Sequence, residues 1–185
     1  AALALTLLAG GNNAVTRPAV LALGEPLDRV GLVTLDAHFD MRELDDGLSN
    51  GNPVRALMED GLQGANIVQI GLASFANSAK MHRDALAAGN RVVSIEEVRR
   101  DGIRAAVGLA IDHLAACDAI VVDCDIDVID RAQMPGAPGA RPGGMHVSDF
   151  YWAVRRLASD PRVRVIDLTE WDPSLDPSDL SALTA

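Results

Sequence analysis

Asp36, His38 and Asp40 stand at alternate positions in the stretch LVTLDAHFD, directly after a short apolar run. In an extended segment alternate side chains point to one side, so this spacing aims two carboxylates and an imidazole at one point in space. A second apolar run, AIVVD at 119–123, leads into Asp125 and Asp127, again two positions apart. Strand ends are where open parallel sheets place their ligands, so the two clusters are expected to meet in one divalent-metal site with room for two ions. Holding so many carboxylates together without a cation would cost heavily in repulsion and lost hydration. Oxygen donors with one imidazole and no thiolate at ligand spacing suit Mn2+ better than a structural Zn2+.

Positioning such a site requires strands that end together. Apolar runs predict strands over 5–9, 30–35, 67–72, 91–95, 119–124 and 163–168. Between them, helical spacing and stop residues predict helices over 14–23, 53–60, 78–88, 96–101, 103–116 and 147–158. Pro53 stands in a first turn, where a helix tolerates it. Residues 41–51 and the Gly/Pro-rich MPGAPGARPGG at 134–144 read as loops placed to line the site. Strands alternating with helices, most of the strands apolar throughout, predict an α/β three-layer sandwich with a mainly parallel sheet.

The 185 residues suffice for one domain and are few for two, and no repeat or linker divides them. A hydrophobic fraction of 49% with only 3% aromatics calls for a core of Ala, Val, Leu and Ile. A formal charge of −10 argues against nucleic acid or an anionic membrane as a partner. Two cysteines make no disulfide framework, and with no targeting or membrane-spanning run the expectation is a cytoplasmic protein.

Several stretches together resemble the ureohydrolases, the family that includes arginase, agmatinase and formimidoylglutamase. They are GGNNAVT at 10–16, DAHFD at 36–40, SNGNPVR at 49–55, DCDIDVID at 123–130 with PGAPGARPGG after it, and TEWDPSLD at 169–176. The resemblance covers nearly the whole chain. It implies an arginase-like fold, with 1–185 as a single but partial domain truncated at both ends. It further implies a dinuclear manganese site, a small-molecule amidine or guanidine substrate, and a homo-oligomer, trimer or hexamer.

Carried over position by position, Asp36 and Asp125 resemble the carboxylates that bridge both ions. Asp40 and Asn13 would complete one ion, and His38 and Asp127 the other. Asn13 stands where the family usually has a His, so that ion is expected to bind less tightly. Glu170 resembles the carboxylate that receives the substrate's cationic amidine or guanidine, and Asp40 would help move a proton. Asn50 stands where arginases carry a proton-shuttling His. These departures turn the resemblance away from arginase and toward the formimidoylglutamase branch, whose substrate is N-formimidoyl-L-glutamate. An agmatinase or guanidino-acid hydrolase releasing urea is the alternative, and a non-catalytic metal-binding relative or a one-zinc deacetylase are rivals of other classes.

Arg42, Arg55 and Arg141 lie in or beside the site loops and are candidate partners for a substrate carboxylate. His82, His113 and His146 lack acidic partners at ligand spacing and read as surface or helix-end residues. Cys124 reads as core packing, and Ser49 has no His–Asp partners for nucleophilic chemistry.

Overall fold

The computed structural model describes residues 5–185. Within them six strands form one sheet: β1 (Thr6–Ala9), β2 (Val30–Leu35), β3 (Ile67–Leu72), β4 (Arg91–Ser94), β5 (Ala119–Asp125) and β6 (Val163–Thr169). The order is β1-β6-β5-β2-β3-β4 and every pairing is parallel. All residues of β2, β3 and β5 are buried, which explains why those segments read as continuous apolar runs rather than alternating ones.

Helices cover both faces. α1 (Thr16–Leu21), α2 (Pro53–Asp60) and α3 (Ala79–Ala88) pack on one, over a cluster that includes Leu32, Ile67, Val121 and Val165. α4 (Ile95–Asp101), α5 (Ile103–His113) and α6 (Val147–Ala158) pack on the other, over Val33, Ile70, Val122 and Ile166. A short α7 (Leu180–Thr184) was not expected. The three-layer sandwich with its parallel sheet is therefore as the sequence indicates. Among the described residues, no helix is long and apolar enough to cross a membrane.

Boundaries differ where polar side chains end an element. The helix expected over 14–23 is a tight turn at Asn13–Val15 followed by α1. The Asn12 side chain accepts the Ala14 N–H and so closes that turn separately, while Pro18, lacking an N–H, falls in the first turn of α1. β5 and β6 each run one residue further than expected, to Asp125 and Thr169.

The topology switches at β2. From there the chain steps outward through β3 and β4 on one side, then returns to the other side of β2 with β5 and with β6, which lies between β5 and the earlier β1. The crevice at that switch lies at the C-terminal ends of β2 and β5, which are the ends that carry the acidic clusters.

Candidate metal centre

Register brings the two clusters together. Leu35 pairs with Cys124, so Asp36, the next residue, comes to the end of β5 where Asp125 stands, and Asp125 is itself level with Thr169 of β6. Two groups of potential ligands result: Asp36, His38 and Asp127, and Asp36, Asp40 and Asp125, each with its ligand atoms within 4.8 Å of one another. Asp36 belongs to both. Asp125, expected to bridge as well, falls in the second group.

Backbone geometry holds these side chains in place. Asp36 N–H donates to Ile70 O, and Gly71, at φ +104°, sits where a Cβ would lie 2.3 Å from Val128 and 3.3 Å from Asp36 O. Only glycine allows that close approach of β3 to the turn that carries Asp36. The Asn77 side chain accepts from Phe39 N–H and donates to Ala37 O, tying the DAHFD turn to the loop after β3. Asp40 adopts φ 51° and Glu170 φ 63°, left-handed conformations uncommon for such residues.

The electrostatics demand compensation. Asp36, Asp125 and Asp127 are buried, and Asp36 Oδ2 has no hydrogen-bond partner. Burial, together with neighbouring carboxylates, raises Asp36 and Asp125 well above the usual carboxylate range. Burial likewise raises Asp40, to about 7, although the Asn13 amide opposes it. Burial disfavours a charged His38, but its contacts with Asp127 (2.9 Å) and Asp36 (3.5 Å) prevail and hold it protonated to about 10. An imidazolium thus stands among the carboxylates, a part that divalent cations would fill. Buried carboxylates with an orphaned oxygen and one imidazole fit hard or borderline divalent ions.

Asn13 is fully buried beside the second group. Its Nδ2 donates to Asp40 Oδ2 at 2.5 Å, while its Oδ1 accepts from Thr16 (2.9 Å) and Thr169 (3.1 Å) hydroxyls. To offer an ion its oxygen, as expected from the sequence, the amide must make a half-turn. Thr16 and Thr169 were not singled out from the sequence, and hydroxyls that can donate or accept suit either orientation.

Glu170 is hydrogen-bonded to this same Asn13. Its Oε1 accepts from Asn13 N–H (2.8 Å) and from Asn50 Nδ2 (3.2 Å), so Asn50 positions Glu170. A cleft of about 340 Å3 opens beside Glu170, with Asn12, Pro138 and Trp171 on its walls. Arg42 lines a second pocket of about 110 Å3 together with His38 and Asp40. Its side chain lies over Gly51, where a Cβ would stand 2.8 Å from Arg42 Cδ.

Arg55 pairs with Asp84 (2.8 Å) and Glu43 (3.7 Å) and donates to Met41 O. On the first turn of α2 and largely covered, its guanidinium is satisfied by these neighbours. For Arg141, no ion pair or side-chain hydrogen bond to the site occurs among the described residues; its carbonyl accepts Arg131 N–H. His113 bonds Ala65 O and His146 caps α6, both outside the centre, and Cys124 is packed in the core.

One layer below the acids, on the same face of the sheet, a polar row runs across four strands: Gln69, Thr34, Asp123 and Asp167, neighbours in register and all buried. Both carboxylate oxygens of Asp123 are buried without a hydrogen-bond partner, and burial followed by the neighbouring Asp167 charge raises its pKa well above normal. The signal in sequence was an acid within each apolar run. Pairing of the two across strands follows from strand order, which the sequence does not state.

The profile of the arginase family matches residues 1–185. A formimidoylglutamase of Halalkalibacterium halodurans is 34% identical over 182 residues, 97% of this chain and 57% of its own. One of Halobacterium salinarum is 35% identical over 178 residues, covering 94% of this chain and 56% of its own. The crystal structure of the Bacillus subtilis formimidoylglutamase superposes with a TM-score of 0.88 at 28% identity, over 97% of this chain and 57% of that one. The chain thus spans a little over half the length of these relatives.

Proposed function

The chain belongs to the arginase family, and on that premise we propose that it carries the centre of a dinuclear-metal hydrolase that converts N-formimidoyl-L-glutamate and water to L-glutamate and formamide. The observation that carries this reading is that Asp36 is shared between two potential ligand groups. An anion, Glu170, stands in one adjoining cleft and a cation, Arg42, in another. Relatives at 34% and 35% identity bear the name formimidoylglutamase, which supports the choice of substrate.

Asp36, His38 and Asp127 would hold one ion, and Asp36, Asp40 and Asp125, with Asn13 turned over, the other. The donor set, all oxygen and one imidazole, favours Mn2+. When bound, two adjacent divalent cations supply Lewis acidity and make water nucleophilic near neutral pH.

The chain's own groups then orient the reaction. Glu170, with Oε1 fixed by Asn13 and Asn50, offers Oε2 to the amidinium N–H groups of the substrate. Arg42 faces a carboxylate at the substrate's far end, whereas agmatine would bring an ammonium there. Water adds its oxygen to the amidine carbon. Asp40 takes a proton from that water and returns it to the leaving nitrogen. The bond between that nitrogen and the carbon breaks, the nitrogen departs as the amine of glutamate, and the carbon leaves as formamide.

An assay of the purified protein with Mn2+ and each candidate substrate tests this reading. Release of formamide and glutamate is expected. Urea from agmatine, with no turnover of formimidoylglutamate, would replace it with the agmatinase reading, and no hydrolysis of either at saturating Mn2+ would leave a metal-binding relative.

A further inference from the structure

Between β5 and α6 the chain makes a long excursion that closes on itself. Its neck is a bridge between Ile129 and Met145, with Met145 N–H donating to Val128 O (2.7 Å) and Asp130 N–H to Met145 O (2.9 Å). Asp130 ties both limbs, its Oδ1 accepting from Ala132 N–H (2.8 Å) and its Oδ2 from Gly143 N–H (2.6 Å). Met134, Ala137 and Ala140 plug the loop into the hydrophobic core.

The tip of the loop is a wall of the metal centre. A Cβ on Gly139 would stand 2.0 Å from Asp127 Oδ2 and 2.9 Å from His38 Cε1, so the bare α-carbon is what fits there. Pro138 faces Glu170 and Trp171 across the neighbouring cleft, and Gly136 O accepts Asp172 N–H at 2.8 Å. The placement of residues 136–139 therefore bears on both the His38–Asp127 pair and the segment that follows Glu170.

Three carbonyls of this tip converge on one cation. Arg131 Nη1 donates to Ala137 O, Pro138 O and Ala140 O, each at 3.3 Å, and its backbone N–H donates to Arg141 O at 3.1 Å. Among the described residues Arg131 makes no ion pair with a carboxylate. All three oxygens share the hydrogens of one terminal nitrogen of the guanidinium, Nη1. A loop with three prolines between 134 and 144 has few N–H groups to satisfy those oxygens itself.

We propose that Arg131 is a positioning residue that clamps the 137–140 carbonyls and thereby sets Gly139 against the His38–Asp127 pair. It does not touch the reacting atoms. Its effect is felt by the ion held through His38 and Asp127 and by the fit of the substrate, and to that extent the inference rests on the proposed function. Outer partners that orient metal ligands commonly change ion affinity by roughly 10- to 100-fold when removed.

The test compares the purified wild-type protein with Arg131→Met and Arg131→Lys. Hydrogen exchange is read over residues 134–144, and Mn2+ binding is followed by calorimetry. Arg131→Met is expected to speed exchange within 134–144, to weaken one of two ions by roughly tenfold while sparing the other, and to raise KM more than it lowers kcat. Arg131→Lys should fall between. Unchanged exchange in both variants overturns the inference, as does equal weakening of both ions. Should Arg131→Met fail to fold, the lysine variant alone decides by the same exchange measurement. If the wild type takes up no divalent ion, the hydrolase reading fails, whereas the exchange result still decides the role of Arg131.

Discussion

Asp36 and Asp125 end neighbouring strands directly above a buried Thr34–Asp123 pair, so the centre stands at the ends of the two central strands of the sheet. Because Asp36 belongs to both ligand groups, Asp36→Asn should remove both ions rather than one. Elemental analysis is expected to fall from two ions per chain to below one, with activity at about one-hundredth or less of wild type. Retention of one full equivalent would mean that the groups are independent.

Ion uptake should release protons. His38 holds its proton to about 10 and Asp40 to about 7, and Asp36 and Asp125 are raised as well, so at neutral pH the metal-free centre carries protons that ligands must lose. Affinity for Mn2+ is accordingly expected to rise as pH increases from about 6 to about 9. Calorimetry in buffers of different ionisation enthalpy counts the protons released, and a pH-independent affinity would contradict these shifts.

Glu170 and Arg42 should separate chemistry from substrate choice. Glu170→Gln keeps the hydrogen-bonding shape but removes the charge opposite the amidinium, with an expected loss in kcat/KM of roughly 10- to 100-fold and no change in metal content. Arg42→Ala should raise KM for formimidoylglutamate by about tenfold and leave kcat nearly unchanged. Steady-state kinetics with both variants would show an error if Arg42→Ala changed kcat alone.

In the absence of divalent cations, stability should fall as pH rises. Asp123 has a folded pKa well above its ordinary value of 3.8, so above that value the folded protein retains a proton that the unfolded chain has lost. Its contribution is fully present below about pH 4 and declines as pH increases toward the folded pKa. Asp123→Asn can donate an N–H to Asp167 without a titrating proton. Thermal midpoints in chelator between about pH 5 and pH 8 are expected to drop less steeply in this variant, and an identical slope would refute the assignment.

Much of this was legible in sequence because parallel strands buried on both faces leave long apolar runs, and because alternate acids at their ends share a face. β2, α2, β3 and α6 have the bounds that apolar runs and helix signals predicted. The pairing of Asp36 with two groups follows from strand order, which no local pattern states. Arg55 stood beside a site loop in the sequence, and its ion pair with Asp84, distant in the chain, could not be read from local pattern. The orientation of Asn13 depends on Thr16 and Thr169, one turn onward and on a distant strand, so its hydrogen bonds were invisible until the sheet brought them together.

The chelating residues come from two strand ends, while the walls come from separate excursions: the 41–52 segment bearing Arg42 and Asn50, the Arg131 loop, and the turn after β6. Replacement in one excursion can alter which molecule is admitted without touching the carboxylates that would make water reactive. On the proposed function, the same scaffold could therefore exchange one substrate for another through small independent steps in its walls.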